Sequence, residues 1–329
     1  NTWGEHSVDI GLYTEYFKAH FRQFGYFANG LNPPTFYPGD GSGLIPVQID
    51  PDSGGLLFVD TANAEILNAG LFSYFAQADY DYDRRYGFTG TIRRDASYRF
   101  AGSNKWATFW SVAGRWNIHN EAFMEDSVFD QLKLRASYGT SGNQRIAGNS
   151  YFSSPDLTRS FFASGTGYGN QNSIFLSQIG NSTLEWETVA QLDVGIDFGV
   201  FDRRLSGSVD YYDKKTTDLF QRAPVSAINS VTFLNANVGD LTNRGMDLSL
   251  RWNVLRSSEP DGFNLSLSGV VNFNETRVNN IPTDNGESLD DNGLTGRRNG
   301  GIFNEYYLLR YAGVNPSSGN LLFRTAEGE

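Results

Sequence analysis

The sequence predicts an all-β protein: an antiparallel transmembrane β-barrel, with about nine of its strands in this chain. Three observations carry that expectation. Apolar and polar residues alternate with period two in nine segments, most of them near ten residues or longer. A tilted strand needs about 9–11 residues to cross a bilayer, whereas strands of globular sheets average about 5–6. Short and long links alternate between the segments, as in barrels with tight periplasmic turns and long extracellular loops. Finally, 25 Phe, 17 Tyr, 6 Trp and 36 Gly accompany only 19% charged residues. A soluble chain carries about 25% charge, and the aromatic excess favours strands.

The elements follow in order. A first, weaker segment sets Val8, Ile10 and Leu12 against Asp9, Tyr13 and Glu15. Leu71–Tyr82 is the clearest, with Phe72, Tyr74, Ala76, Ala78, Tyr80 and Tyr82 on one face and Ser73, Gln77, Asp79 and Asp81 on the other. Tyr86, Phe88 and Ile92 oppose Thr89, Thr91, Arg93 and Asp95. Trp106, Trp110, Val112, Trp116 and Ile118 oppose Ser111, Arg115, Asn117 and His119. Leu132, Leu134, Ala136 and Tyr138 oppose Gln131, Lys133, Arg135 and Ser137. Trp186, Leu192, Val194, Ile196 and Phe198 oppose Glu187, Gln191, Asp193 and Asp197. Leu205, Val209 and Tyr211 oppose Ser206, Ser208 and Asp210. Val238, Met246, Leu248, Leu250, Trp252 and Val254 oppose Asn243, Asp247, Ser249, Arg251 and Asn253. Phe263, Leu265, Leu267, Val271 and Phe273 close the series against Asn264, Ser266, Ser268, Asn272 and Asn274.

The links sort into two kinds. Asp83-Arg84-Arg85, Asp202-Arg203-Arg204 and Ser257–Asp261 are short, and Asn120–Met124 fits one helical turn. Phe17–Gly70, Ser141–Thr183, Thr216–Asn237 and the stretch from Arg277 onward are long; Phe100–Lys105 is the short member of that side. Aromatics gather near segment ends, at Tyr80, Tyr82 and Tyr86 and at Trp106 and Trp116, as interfacial girdles would. A soluble β-sandwich gives the same period, because it buries its apolar face against a second sheet.

Several classes are excluded. Without cysteine there is no disulfide or zinc–thiolate site. The net charge of −11 argues against nucleic acid, and no apolar run is long enough for a membrane helix. His6, His20 and His119 are far apart, and neither a G-x-S-x-G nor an H-E-x-x-H motif occurs, so no enzyme is expected. Asp79-x-Asp81-x-Asp83 lacks the glycine and the twelfth-position glutamate of a calcium loop, since Arg84 and Gly90 stand there. Asn1 is no initiator and no signal segment follows, so a processed or truncated chain is expected.

Specific words accompany the period. "TIRRDASYRF" (Thr91–Phe100), "WATFWSVAGRWNIHNEAFM" (Trp106–Met124), "FDQLKLRASYGTSGNQ" (Phe129–Gln144), the run Leu184–Leu219, "NVGDLTNRGMDLSL" (Asn237–Leu250) and "RYAGVNPSSGNLLF" (Arg310–Phe323) occur in one order. In that order and spacing they resemble the SusC/RagA-type TonB-dependent transporters of Bacteroidota; Trp110 stands where such proteins commonly show proline. The resemblance implies a 22-stranded outer-membrane barrel around an N-terminal plug domain. The geometry of closed barrels also pairs about 22 strands with a plugged lumen. The resemblance further implies import of large nutrients, glycan or peptide oligomers, driven through TonB, with a SusD-like surface lipoprotein as lid. It also allows a dimer of transporter–lipoprotein pairs. On this reading residues 1–329 are a partial barrel domain, with the plug and the C-terminal strands absent from this chain. A passive porin or adhesin barrel and a secreted carbohydrate-binding β protein remain alternatives at this point.

Candidate contact residues lie in the long first link, which is dense in aromatics: Phe24, Tyr26, Phe27, Phe36 and Tyr37. They either meet the lid or substrate, since Tyr and Phe give large contact area at low entropic cost, or fold onto the loop itself. Arg93, Asp95, Arg115, Lys133, Arg135 and Asp247 are expected on the lumen wall, several paired with plug residues and with substrate contact as the alternative. No cofactor is expected. Asp284, Asp290 and Asp291 offer carboxylates for calcium, against the plainer reading of a solvated acidic loop.

Overall fold

The structure is a computed structural model that describes residues 2–27, 61–145, 156–226, 231–257, 262–283, 286–289, 294–303, 305–306, 308 and 310–324. Its centre is one ten-stranded antiparallel sheet in which strands neighbour one another in chain order. The two-residue strand Thr2–Trp3 leads into nine long ones. These are His6–Phe27, Thr61–Tyr82, Tyr86–Ser97, Trp106–Asn117, Phe129–Asn143, Glu187–Val200, Leu205–Thr217, Asp240–Leu255 and Leu265–Asn279. Each corresponds to one segment of alternating sequence.

The alternation has a physical outcome. Register keeps every apolar set on one face, as in the row Tyr80–Phe88–Gly114–Ala136–Val194–Tyr211–Met246–Phe273. Among the described residues no second sheet packs on that face, and its side chains stay open: Leu12 is 79% exposed and Leu267 54%. So large an uncovered apolar surface is incompatible with a sandwich and fits contact with lipid.

Two aromatic belts bound the face. At the short-turn end His6, Tyr82, Tyr86 and Trp116 follow one another at ring-centroid distances of 4.9, 6.3 and 6.2 Å. At the other end Phe72, Tyr74 and Trp106 cluster at 6.0–6.3 Å. At about 3.4 Å per residue and a tilt of about 40°, Tyr82 and Phe72 lie about 25 Å apart along the membrane normal, the height of a barrel's apolar band.

The short turns are tight. Arg85 N–H donates to Tyr82 O at 2.8 Å, with Asp83 and Arg84 at φ 49° and 54°. Arg204 N–H donates to Phe201 O at 3.0 Å, with Phe201, Asp202 and Arg203 all at positive φ. Neither turn contains glycine, so carboxylates hold the backbone instead: Asp81 accepts from Arg84 N–H and Asp130 from Arg203 N–H, both at 2.9 Å. Two short 3₁₀ turns, Ile118–Asn120 and Ala122–Met124, form the compact link for which the sequence predicts one helical turn.

Two expectations need correction. The first long link does not begin at Phe17: the two leading strands run on together to Phe27 and from Thr61, and so make a ribbon beyond Ser97, where the neighbouring strand ends opposite Leu71. Cross-strand pairing continues past the membrane band because Ala19, Phe21 and Ala69 still supply a half-covered face there. Trp186 is not on the outward face; it precedes its strand and is buried in a loop cluster. The long links also carry hairpins of their own, Phe161–Thr166 with Asn172–Gln178, Phe220–Pro224 with Phe233–Asn237, and Arg310–Val314 with Leu321–Arg324.

Candidate functional site: the polar wall and its roof

The other face of the sheet is polar. A single row of ladder partners crosses it: Asp81, Gly87, Arg115, Arg135, Gly195, Asp210, Asp247 and Asn272. Its charges pair in an unusual way. Arg115 binds Asp81 across the intervening strand, over Gly87, and Arg135 reaches Asp210 at 2.6 Å over Gly195. A Cβ at Gly87 would sit 2.5 Å from Arg115 Nε, and one at Gly195 would strike Asp210 and Arg135. Both glycines are therefore gaps that let ion pairs skip a strand, a use of close approach rather than of glycine's backbone freedom. Arg135 Nη2 also donates to Asp197 Oδ1 at 3.0 Å, and Lys133 Nζ lies 3.4 Å from the same carboxylate. Asp247 accepts from Asn272. Beside this row a groove of about 370 Å³ is lined by Asp9, Asp79, Asp193, Arg115 and Arg135.

Nearer the long links lies a cavity of about 550 Å³, lined by Glu15, Ser73, Arg93, Asp95, Phe109, Asn143, Gln144 and Trp186, among others. Arg93 organises its charged side. Nε donates to Asp95 Oδ1 at 2.6 Å, and Nη2 to Glu15 Oε2 at 2.8 Å and Ser73 Oγ at 2.9 Å. The guanidinium lies 4.9 Å from the Phe75 ring centroid, and Phe75 stacks on Tyr13 at 4.7 Å. Hydrogen bonds and stacking thus fix a long, rotamer-rich side chain in one position.

A loop layer roofs this end. Phe100, Phe109, Leu157, Leu184 and Trp186 form a buried cluster, with Trp186 Nε1 donating to Lys105 O at 3.2 Å. Amide side chains tie the links together: Asn104 donates to Thr183 O at 3.0 Å, Asn181 to Asn235 O at 2.9 Å and Asn237 to Glu185 O at 2.9 Å. Burial, helped by nearby Asp218, pushes the Glu185 carboxyl above its ordinary range. At the opposite end Glu121 accepts from Tyr86 Oη at 2.6 Å and Trp116 Nε1 at 2.8 Å, and those bonds hold its carboxyl below the usual range.

The structure brings together Arg93 with Asp95, and Lys133 with Arg135 through Asp197. Arg115, Arg135 and Asp247 share one row. Phe24 and Tyr26 lie on the projecting ribbon, both exposed, away from that wall; the strand ends at Phe27. Phe36, Tyr37, Asp284, Asp290 and Asp291 lie outside the described residues. Sequence reasoning alone does not single out Glu15, Asp81, Asp197, Asp210 or Trp186 as site residues. For the ion-pair carboxylates Asp81 and Asp210 the available signal is an isolated glycine, Gly87 and Gly195, inside a strand.

Comparison with known proteins adds the following. A family model described as "TonB dependent receptor-like, beta-barrel" matches residues 1–325. TonB-dependent receptor P39 of Formosa agariphila is 34% identical over 229 residues, which is 69% of this chain and 21% of that protein. TonB-dependent receptor SusC of Bacteroides thetaiotaomicron is 31% identical over 214 residues, 64% of this chain and 21% of that protein. The solved structure of the RagAB peptide transporter superposes with a TM-score of 0.79 at 23% identity, over 98% of this chain and 33% of that one. The chain thus spans about a fifth of the curated relatives it matches and a third of the solved one.

Proposed function

This chain belongs to the family of TonB-dependent receptor β-barrels of the outer membrane, and we propose that it is part of the barrel wall of an energised importer of oligomeric nutrients, glycan or peptide. The observation that carries this reading is the two-faced sheet. One face is apolar between two aromatic belts, and the other is a polar wall that leads to a 550 Å³ cavity under a loop layer. The remaining strands and an N-terminal plug would come from parts of the protein beyond these residues, because an open sheet edge is not tolerated in lipid. The plug would face the row from Asp81 to Asn272. That row satisfies much of its own charge within the wall, so the plug meets it as a largely neutralised surface.

The cavity offers Arg93, Glu15 and Asp95 for hydrogen bonding and Phe109 and Trp186 as flat partners, chemistry suited to a polymer with many polar groups. The tied links between Ser97 and Val238 would form the seat for a surface lipoprotein lid and one side of the substrate path. The RagAB relative's description as a peptide transporter supports oligomeric cargo.

The test uses the intact parent protein in cells. Uptake of the oligomer must stop when the proton-motive force is collapsed, and a surface lipoprotein must co-purify with the barrel. Uptake that survives an uncoupler would point instead to a passive porin.

A further inference from the structure

The ribbon that extends the first two long strands carries a feature that transport does not use. Its even-numbered positions continue the outward face past the aromatic belt. From Tyr16 the order is Lys18, His20, Arg22, Phe24 and Tyr26, and all are exposed. Their ladder partners are Gly70, Asn68, Ile66, Ala64 and Ala62, so no carboxylate stands opposite. His20 Nδ1 bonds Asn68 Oδ1 at 2.7 Å, and no ion pair involves Lys18 or Arg22 among the described residues. Arg94, exposed on the same face at the belt itself, lies 5.3 Å from the Trp106 ring centroid. Elsewhere on this face the charges of two outward pairs near the same end neutralise each other, Arg244 with Asp213 at 2.8 Å and Arg277 with Glu275 at 2.6 Å. Lys215 stands there as a single exposed cation without an ion pair among the described residues, whereas the ribbon gathers three basic side chains in one row. The basic row therefore stands out in a chain of net charge −11.

We propose that this outward row, Arg94, Lys18, His20 and Arg22 followed by Phe24 and Tyr26, binds the phosphorylated glycolipid headgroups of the outer leaflet that surround the barrel. Two arguments select that occupant. The row continues the lipid-facing surface without a break, starting one outward position beyond Tyr16 and running about 7 to 20 Å further along the strand, through the depth that headgroups occupy. Its charge complements phosphate, while exposed Phe24 and Tyr26 give flat faces for sugar rings beyond it. The contact would anchor the ribbon against the membrane surface, and it depends on membrane orientation alone, not on the cargo.

The intact parent protein is purified in mild detergent, and its binding of purified phosphorylated lipid A–core glycolipid is read by native mass spectrometry. Lys18→Glu with Arg22→Glu should lower bound glycolipid about tenfold or more, as each basic residue near an anionic surface contributes to binding. Arg84→Glu, a charge reversal in the exposed short turn at the opposite end of the sheet, should leave it unchanged. Chemically dephosphorylated glycolipid should bind the native protein no better than the intact lipid binds the double variant. Heat-modifiable gel mobility reports folding; if the reversal does not fold, Lys18→Gln with Arg22→Gln should give a smaller loss in the same direction. Equal binding by native and variant proteins overturns the proposal. So does a variant that keeps its glycolipid but loses a co-purifying protein, which would make the row a protein-docking face. Neither outcome bears on energised uptake, which is measured separately.

Discussion

The two faces of the same sheet obey different rules. Outward, Ile10, Val194 and Met246 stay exposed on the lipid-facing side, and nothing among the described residues covers them. Inward, Arg115, Arg135 and Lys133 are held by named partners, two of them reached over a glycine. One ladder position separates the regimes. Val194 faces out, its neighbour Asp193 faces the wall opposite Ser137, and a one-residue slip of register would exchange the two.

The largest effect should come from breaking the outward rule. Val194→Arg, near mid-membrane, should destabilise the reconstituted parent barrel by about 2–4 kcal/mol, read by denaturant titration in vesicles. Ser137→Arg, on the wall, should cost clearly less in the same titration; equal costs would mean the two faces have been assigned the wrong way round. Next, Gly195→Val should cost about 1–3 kcal/mol, because its side chain must displace Arg135 or Asp210. Asp210→Asn, which removes the charge and leaves the gap, should cost no more than about 1 kcal/mol, since the pair is partly solvated. If both cost the same, the glycine is not a passage for the ion pair.

A third comparison is between neutral and acid conditions. Glu121 binds Tyr86 and Trp116 as a carboxylate, and its folded pKa lies below the unfolded one. Its contribution is therefore fully present above the usual glutamate range near about pH 4.3, and is lost as pH falls through the depressed folded value. Glu121→Gln should thus separate from the native protein at neutral pH and converge with it in acid, in thermal unfolding followed by tryptophan fluorescence. The smallest effect belongs to Asp247→Asn, within about 0.5 kcal/mol by the same titration as the first pair, because its partner Asn272 can bond an amide as well as a carboxylate.

Much of the fold is legible because a strand in lipid has no choice. Leu71–Tyr82 must alternate if one side is hydrocarbon and the other a wet wall, and its period survives without any knowledge of neighbours. The ends are not legible. Lys18, His20 and Arg22 alternate with Phe17, Ala19 and Phe21, yet that stretch has the sequence character of a loop because the apolar residues change sides at the membrane edge. The site is legible as a set of wall charges but not as a set of pairs. Arg135 and Asp210 lie far apart in sequence and meet only because Gly195 stands between their strands.

Within the membrane-crossing segments the sequence by itself determined which residues face lipid and which face the lumen, and where the turns at Asp83–Arg85 and Asp202–Arg204 fall. Those depend on local period and on the few residues that tolerate a turn. Tertiary structure alone decided which strands neighbour one another and in what register. It therefore also decided which carboxylate each arginine reaches, where Trp186 is buried, and how far the leading ribbon projects. Partner choice across a sheet is set by the offset between distant segments, and no single segment encodes that offset.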